Sequence, residues 1–287
     1  MIKTHISKIE LFDTHAHLDL MDKSCQNESL FQTQFDGQFP ASVDIYKDFD
    51  KSNDFHIVGI VNPGISVSSS HQSITFAKKY PFLYAGVGVH PNSTGDTSRD
   101  DWSEIVELSK NQCVTAIGET GLDRYWDTVP FEIQLRYFEM HLDLAKERQL
   151  PIIIHSRDCD DEMMGVLRNM AKVSPIFGVI HSFSSTTDVA ERYLDMGLYI
   201  SFSGTVTYTN KKFSNLHSVA KIIPDDRLIM ETDSPFLTPH PYRGKLGNNV
   251  PIMMAYTAKT LATLRETSIE TIVALTTANA KKIFRKK

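Results

Sequence analysis

Cysteine is scarce in this chain. Cys25, Cys113 and Cys159 stand far apart and form no CxxC pair, which argues against a disulfide framework and for a reducing compartment. Long hydrophobic runs are missing as well. No stretch approaches a membrane span, and the opening MIKTHISKIE is too polar for a signal peptide, so the expected location is the cytoplasm, with the nucleus as an alternative. Positive charge is not in surplus: 30 Lys and Arg stand against 35 Asp and Glu, a net charge of −5. A broad basic surface for coating duplex nucleic acid is therefore not expected, which leaves room for a local phosphate site. The pattern GxxxxGK[ST] does not occur, which excludes a P-loop. Ser156 and Ser182 each follow a histidine, yet no GxSxG elbow exists to support a nucleophilic serine. Repeats and low-complexity segments are also lacking.

What is present fits one sizeable core in an ordinary globular chain: 287 residues, 41% hydrophobic and 23% charged. Short apolar or β-branched runs predict strands at Lys8–Asp13, His56–Val61, Leu83–Val89, Val114–Glu119, Pro151–His155, Phe177–His181, Leu198–Ser203 and Arg227–Thr232. Several are apolar nearly throughout, as strands covered on both faces should be. Helical stretches lie between them at Ser66–Lys79, Asp101–Lys110, Pro130–Leu150, Asp160–Lys172, Thr187–Met196 and Lys212–Lys221, with two more at Ile252–Leu264 and Ser268–Phe284. Pro130 suits a first helical turn, and Ser268 opens SIET as an N-cap. Eight strands alternating with helices predict a single α/β domain over 1–287, a (β/α)8 TIM barrel, with an open doubly wound sheet as the alternative. The long polar stretch Asp19–Phe55 reads as an elaborated first connection, and the RKK tail, Arg285 to Lys287, as charges favouring a helix C-terminus.

In such a barrel the C-terminal strand ends converge on one mouth. Side chains two apart on a strand point the same way, so HAH in ELFDTHAHLDL aims His15 and His17 together into that mouth. Glu119 ends VTAIGE, His155 ends PIIIH, His181 ends FGVIH and Asp233 follows RLIMET. Four imidazoles and two carboxylates are thus delivered by five strand ends. That donor set suits divalent metal: imidazole favours Zn, Mn, Fe and Ni, and a carboxylate can bridge two ions. Six ligands exceed the needs of one tetrahedral ion, so two ions sharing a carboxylate are the natural reading. A pair about 3.5–4 Å apart can activate water and hold the leaving oxygen of a phosphoester. Taken singly, each residue has an ordinary structural reading. Glu119 can pair with Arg124 or Arg157, His155 can be a satisfied core histidine, and Asp233 can cap the turn at Ser234-Pro235.

The segments FDTHAHLD, GVGVHPN, AIGETGLDRYW, QLPIIIHSRD, GVIHSFS and METDSPFLTP, in this order from about Leu11 to Ala280, resemble the TatD family of metal-dependent deoxyribonucleases in the amidohydrolase-like barrel superfamily. The resemblance implies a barrel with a divalent-metal centre, Mg²⁺-supported DNase activity and 3′→5′ exonuclease action on single-stranded DNA ends. It implies that His15 and His17 bind a first metal with Asp233, that Glu119 bridges, and that His155 and His181 hold a second. Asp233 would also be the general base. Two features depart from the family pattern. The segment after the eighth strand reads YRGKLGNNVP, with extra residues around Arg243 and Lys245, and Asp19–Phe55 is longer than usual. The ions expected are two of Mg²⁺, Mn²⁺ or Zn²⁺.

Around that centre, Arg157 in HSRD is a candidate for bidentate contact with a scissile phosphate, or for an ion pair with Asp158, Asp160 or Glu119. His90 is a candidate for touching substrate or orienting a ligand. Tyr125 and Trp126 either pack at the rim or stack on bases. Phe183, Phe202 and Phe236 read as core or barrel-top residues. Competing functions are a hydrolase of another small ester or amide, and a non-enzymatic scaffold. Relatives of the amide-cleaving kind often bridge their metals with a modified lysine on strand four, where this chain has Glu119.

Overall fold

The computed structural model describes residues 8–21, 54–126, 128–245 and 248–284. Eight strands form one sheet in sequence order: β1 Lys8–Asp13, β2 Asp54–Asn62, β3 Leu83–Val87, β4 Val114–Asp123, β5 Ile152–Arg157, β6 Gly178–Ile180, β7 Tyr199–Phe202 and β8 Leu228–Met230. Each pairs in parallel with the next. The ring is drawn together between β8 and β1 just beyond their ends. Thr14 N–H donates to the Met230 carbonyl at 3.2 Å, Asp233 N–H to that of His15 at 2.8 Å, and His17 N–H to that of Ser234 at 2.7 Å. The expected barrel is present. The first connection falls mostly outside the described residues, as do the RKK tail and Cys25.

Eight helices cover the sheet among the described residues: α1 Val67–Lys79, α2 Arg99–Leu108, α3 Phe131–Arg148, α4 Asp160–Ala171, α5 Thr187–Asp195, α6 Ser214–Ile222, α7 Met254–Leu264 and α8 Ile269–Ile283. Their starts are set by local chemistry. Ser66 and Asp101-partnered Ser98 close capping boxes on α1 and α2, and the Thr186 and Ser268 hydroxyls accept from backbone N–H groups of α5 and α8. Most buried hydrophobic residues fill the layer between sheet and helices.

A second apolar cluster fills the barrel axis: Phe12, Val61, Ala116, Ile153, Val179, Tyr199 and Ile229, packed against Ala280, Ile283 and Phe284 at the end of α8. This plug closes the N-terminal end of the barrel, and strand periodicity explains what lies above it. Two residues beyond Phe12, Ile153, Val179, Tyr199 and Ile229 come Thr14, His155, His181, Ser201 and Glu231. The next inward layer is therefore polar, built on an apolar foundation.

Glu119 breaks this parity, standing three residues beyond Ala116. The β4–β5 register shifts between Ile117 and Thr120, an irregularity of the kind that re-aims a side chain, and Glu119 faces inward as a result. It is also not a strand end, as the sequence suggested. β4 continues through Asp123 because Thr120–Asp123 pair with Ile154–Arg157. Gly121 makes that close pairing possible: its φ is +145° and a Cβ there would collide with the His155 carbonyl oxygen.

Candidate metal centre

The six predicted ligands converge at the C-terminal mouth. Glu119 lies between two groups, one at each carboxylate oxygen. Its Oε2 is 3.2 Å from His15 Nε2 and 3.4 Å from His17 Nε2. Asp233 Oδ1 closes this group at 3.7 and 3.5 Å from the same nitrogens. Glu119 Oε1 is 3.0 Å from His155 Nδ1 and 2.9 Å from His181 Nε2. The His15 ring stacks on that of His181 at 4.1 Å, tying the groups together. Glu119 makes no ion pair with Arg124 or Arg157; Arg124 pairs with Glu162 instead.

The proton pattern of the second group tests whether a cation fits. His155 donates through Nε2 to Asp123 Oδ2 at 3.0 Å, and His181 through Nδ1 to Glu231 Oε1 at 3.2 Å. Each neutral ring then carries a bare lone pair on its inner nitrogen. Those nitrogens are 3.2 Å apart and both face Glu119. Three acceptors converging in this way repel one another unless positive charge sits among them, either an added proton or a metal ion. His15 Nε2 and His17 Nε2 face each other in the same way at 3.1 Å. Ligands about 2.0–2.1 Å from a tetrahedral ion lie about 3.3 Å apart, close to these separations. The donor set fits divalent metal.

Electrostatics agree. Burial opposes ionisation of Glu119, but the charges of His181 and His15 outweigh it and hold the carboxyl well below the usual range. Asp233 is likewise held low against burial, chiefly by its hydrogen bond from His17. Burial would depress His17, yet its bonds to Asp233 and Glu119 push it up to about 10. His181 is raised by Glu119 and Glu231 against the same burial. This pocket demands positive charge.

His90 has a different role. Its Nδ1 accepts from Asn92 N–H at 3.1 Å, so in the neutral ring the proton sits on Nε2, 3.6 Å from Glu119 Oε1. Burial pushes its pKa down to about 3. It is placed as a neutral donor toward the centre.

The residues that sequence reasoning gave no role are Asp123, Glu231 and Asp13. Asp123 also accepts from the Tyr125 and Trp126 N–H groups, and these bonds with that from His155 outweigh its burial and lower its pKa to about 2. Glu231 is fully buried and accepts from the Ser201 hydroxyl at 2.6 Å. Asp13 clamps the ends of β1 and β8, accepting from the backbone N–H of His15 and from both the N–H and hydroxyl of Thr232. The available signal was position: GETGLD, METD and FDTHAH carry these acids beside the ligands.

Arg157 makes no ion pair with Asp158, Asp160 or Glu119 among the described residues; its guanidinium lies 3.7 Å over the Tyr125 ring. Tyr125, Trp126 and Phe236 are half exposed at the mouth, whereas Phe183 and Phe202 are buried. No described helix is long and apolar enough to cross a membrane.

A family model described as TatD-related DNase matches residues 12–285. The chain is 38% identical over 275 residues to the uncharacterized metal-dependent hydrolase YabD of Bacillus subtilis, spanning 96% of this chain and 99% of that one. It is 38% identical over 197 residues to the uncharacterized metal-dependent hydrolase YcfH of Escherichia coli, spanning 69% and 72%. The crystal structure of YJJV, a TatD homolog from E. coli, matches with a TM-score of 0.80 and 27% identity over 96% of this chain and 97% of that one. An organophosphorus hydrolase from Deinococcus radiodurans shares the fold, with a TM-score of 0.60 and 14% identity over 96% of this chain and 92% of that one.

Proposed function

Because the chain belongs to the family of TatD-related DNases and is a metal-dependent hydrolase, we propose that it cleaves phosphodiester bonds at single-stranded DNA ends, in the 3′→5′ direction. The observation that carries this reading is the split contact of Glu119, one oxygen to His15 and His17 and the other to His155 and His181. A carboxylate so placed could serve both groups of ligands, one oxygen to each. His15, His17 and Asp233 would hold one, and His155 and His181 the other, with Mg²⁺, Mn²⁺ and Zn²⁺ as candidates. When bound, the ions supply charge neutralisation at the phosphate and acidify water.

The protein's own groups do the rest. Asp233, ionised and turned into the mouth, takes the proton from the attacking water. Glu119 fixes the spacing of the two groups. His90 donates from Nε2 to Glu119 or to a substrate oxygen. Arg157, without a carboxylate partner among the described residues, offers two N–H groups to the phosphate.

The test is hydrolysis of 3′-labelled and 5′-labelled single-stranded DNA with added Mg²⁺ or Mn²⁺, beside lactone and amide substrates. Glu119→Ala and Asp233→Asn should each lower DNA cleavage by roughly 10²–10⁴-fold with the circular dichroism unchanged. Full activity in either folded variant, or hydrolysis confined to the lactone or amide, overturns the reading.

A further inference from the structure

Beside the metal groups opens a cavity of about 470 Å³, a size typical of small-molecule sites. Its inner wall includes His155, His181 and Asp233, and its outer walls carry two arginines, Arg157 and Arg243. The arginines come from opposite sides: Arg157 ends β5, and Arg243 lies in the loop after β8. Each is pinned in the same manner. The Arg157 guanidinium lies 3.7 Å over Tyr125, and that of Arg243 lies 3.8 Å over Tyr208. The Tyr208 ring is itself fixed, since its hydroxyl donates to the Thr238 carbonyl at 3.0 Å.

Stacking occupies the face of a guanidinium and leaves its N–H groups in the plane for other partners. Arg243 has only a long contact to Asn210 Oδ1, at 3.5 Å, and no carboxylate partner among the described residues. Asp158 also lines the cavity and makes no ion pair with either arginine. Hydroxyls complete the wall: Ser182 and Thr205 line it, tied from behind by buried Ser203 at 2.9 and 3.0 Å. Two oriented cationic planes and a hydroxyl wall make a receptor for phosphate. With Arg157 assigned to the phosphate at the metals, the in-plane N–H groups of Arg243 are left to face a second anion.

We propose that this cavity is a subsite for a second phosphate of the substrate, the neighbour of the scissile one along the strand, and that Arg243 reads it. The inference rests on the phosphodiesterase reading above and narrows its substrate class to strand ends carrying an adjacent or terminal phosphate.

Two measurements test it. In the first, the metal-loaded enzyme hydrolyses thymidine dinucleotides without a terminal phosphate, with a 5′-phosphate and with a 3′-phosphate. One phosphorylated form should show a KM about tenfold lower than the plain dinucleotide, and Arg243→Ala should erase most of that preference while Arg243→Lys restores part of it. In the second, binding of thymidine 3′,5′-bisphosphate and of thymidine 5′-monophosphate is compared by calorimetry. The bisphosphate should bind about tenfold tighter to the wild type and no tighter to Arg243→Ala. A wild type indifferent to the second phosphate, or an Arg243→Ala variant that keeps the preference, overturns the proposal. If neither a dinucleotide nor single-stranded DNA is cleaved but the binding preference holds, the nuclease reading fails and the second-phosphate site stands.

Discussion

His155 turns its Nε2 to Asp123, 3.0 Å away, and thereby its Nδ1 to Glu119. His181 is aimed in the same way by Glu231. No such partner exists on the other side, where Nδ1 of His15 and of His17 is buried without a hydrogen bond among the described residues. A carboxylate behind a ligating imidazole fixes its tautomer and raises its basicity, and its loss typically costs 10–100-fold in metal affinity. On the two-ion reading proposed above, Asp123→Asn and Glu231→Gln should therefore weaken one ion by about that factor and leave the other much less affected. Metal titration by calorimetry reads this directly. Two binding steps identical to those of the wild type would refute it.

Arg157 and its stack on Tyr125 separate charge from shape. Arg157→Lys keeps the charge and removes the planar fork. The proposed phosphate contact predicts a KM for single-stranded DNA raised about tenfold, in line with the loss of roughly 1.5 kcal/mol in charge-assisted bonding. Thermal stability should change little, because the residue is only half-buried and has no carboxylate partner among the described residues. An unchanged KM would return Arg157 to rim packing.

The legible part of this fold was its periodic part. Apolar strand runs placed β1 to β8 within a few residues, and the two-residue period carried His155 and His181 from the plug layer into the mouth. Glu119 was found for an incomplete reason. Simple alternation from Ala116 turns it outward, and only the register shift against β5 turns it in. That shift depends on pairing with a strand more than thirty residues away, which no local pattern encodes. Asp123 and Glu231 stayed without a role because their work depends on which nitrogen of a ring faces the centre. Arg243 needed the placement of Tyr208 beneath it.

His141 offers a pH test away from the metals. It is fully buried, accepts from Val89 N–H at 3.0 Å and contacts the Tyr137 carbonyl at 2.6 Å. An imidazole accepting at one nitrogen and donating at the other must be neutral, and burial lowers its pKa from 6.5 to about 4. The unfolded chain thus binds a proton below about pH 6.5 that the folded chain refuses until about pH 4. Its effect on stability is absent above pH 6.5, grows as the pH falls and levels off below pH 4, reaching about 3 kcal/mol at most. His141→Gln should flatten the fall in denaturant-measured stability across this window relative to the wild type. Equal slopes would show that His141 does not titrate there.

Removing metal should act in the opposite pH direction. Without ions, protons on His17 and His181 supply the positive charge that Glu119 and Asp233 require. That is why His17 rises to about 10 and His181 rises above its ordinary range. Stabilisation by a raised histidine is complete below its unfolded pKa near 6.5 and is lost as the pH climbs through the folded value. The chelated protein should therefore weaken from pH 6.5 toward 10, while the loaded protein, whose cations do not titrate, should not. Ligand histidines also bind metal better as protons leave, which widens the gap. At an ion concentration about 100-fold above the dissociation constant, binding is worth about 2.7 kcal/mol, or about 5–10 °C in Tm for a chain of this size. Thermal melts with Mn²⁺ and with EDTA should differ by about that much near neutrality and by more at pH 9. A gap that closes as pH rises would mean that protons do not stand in for metal at this centre.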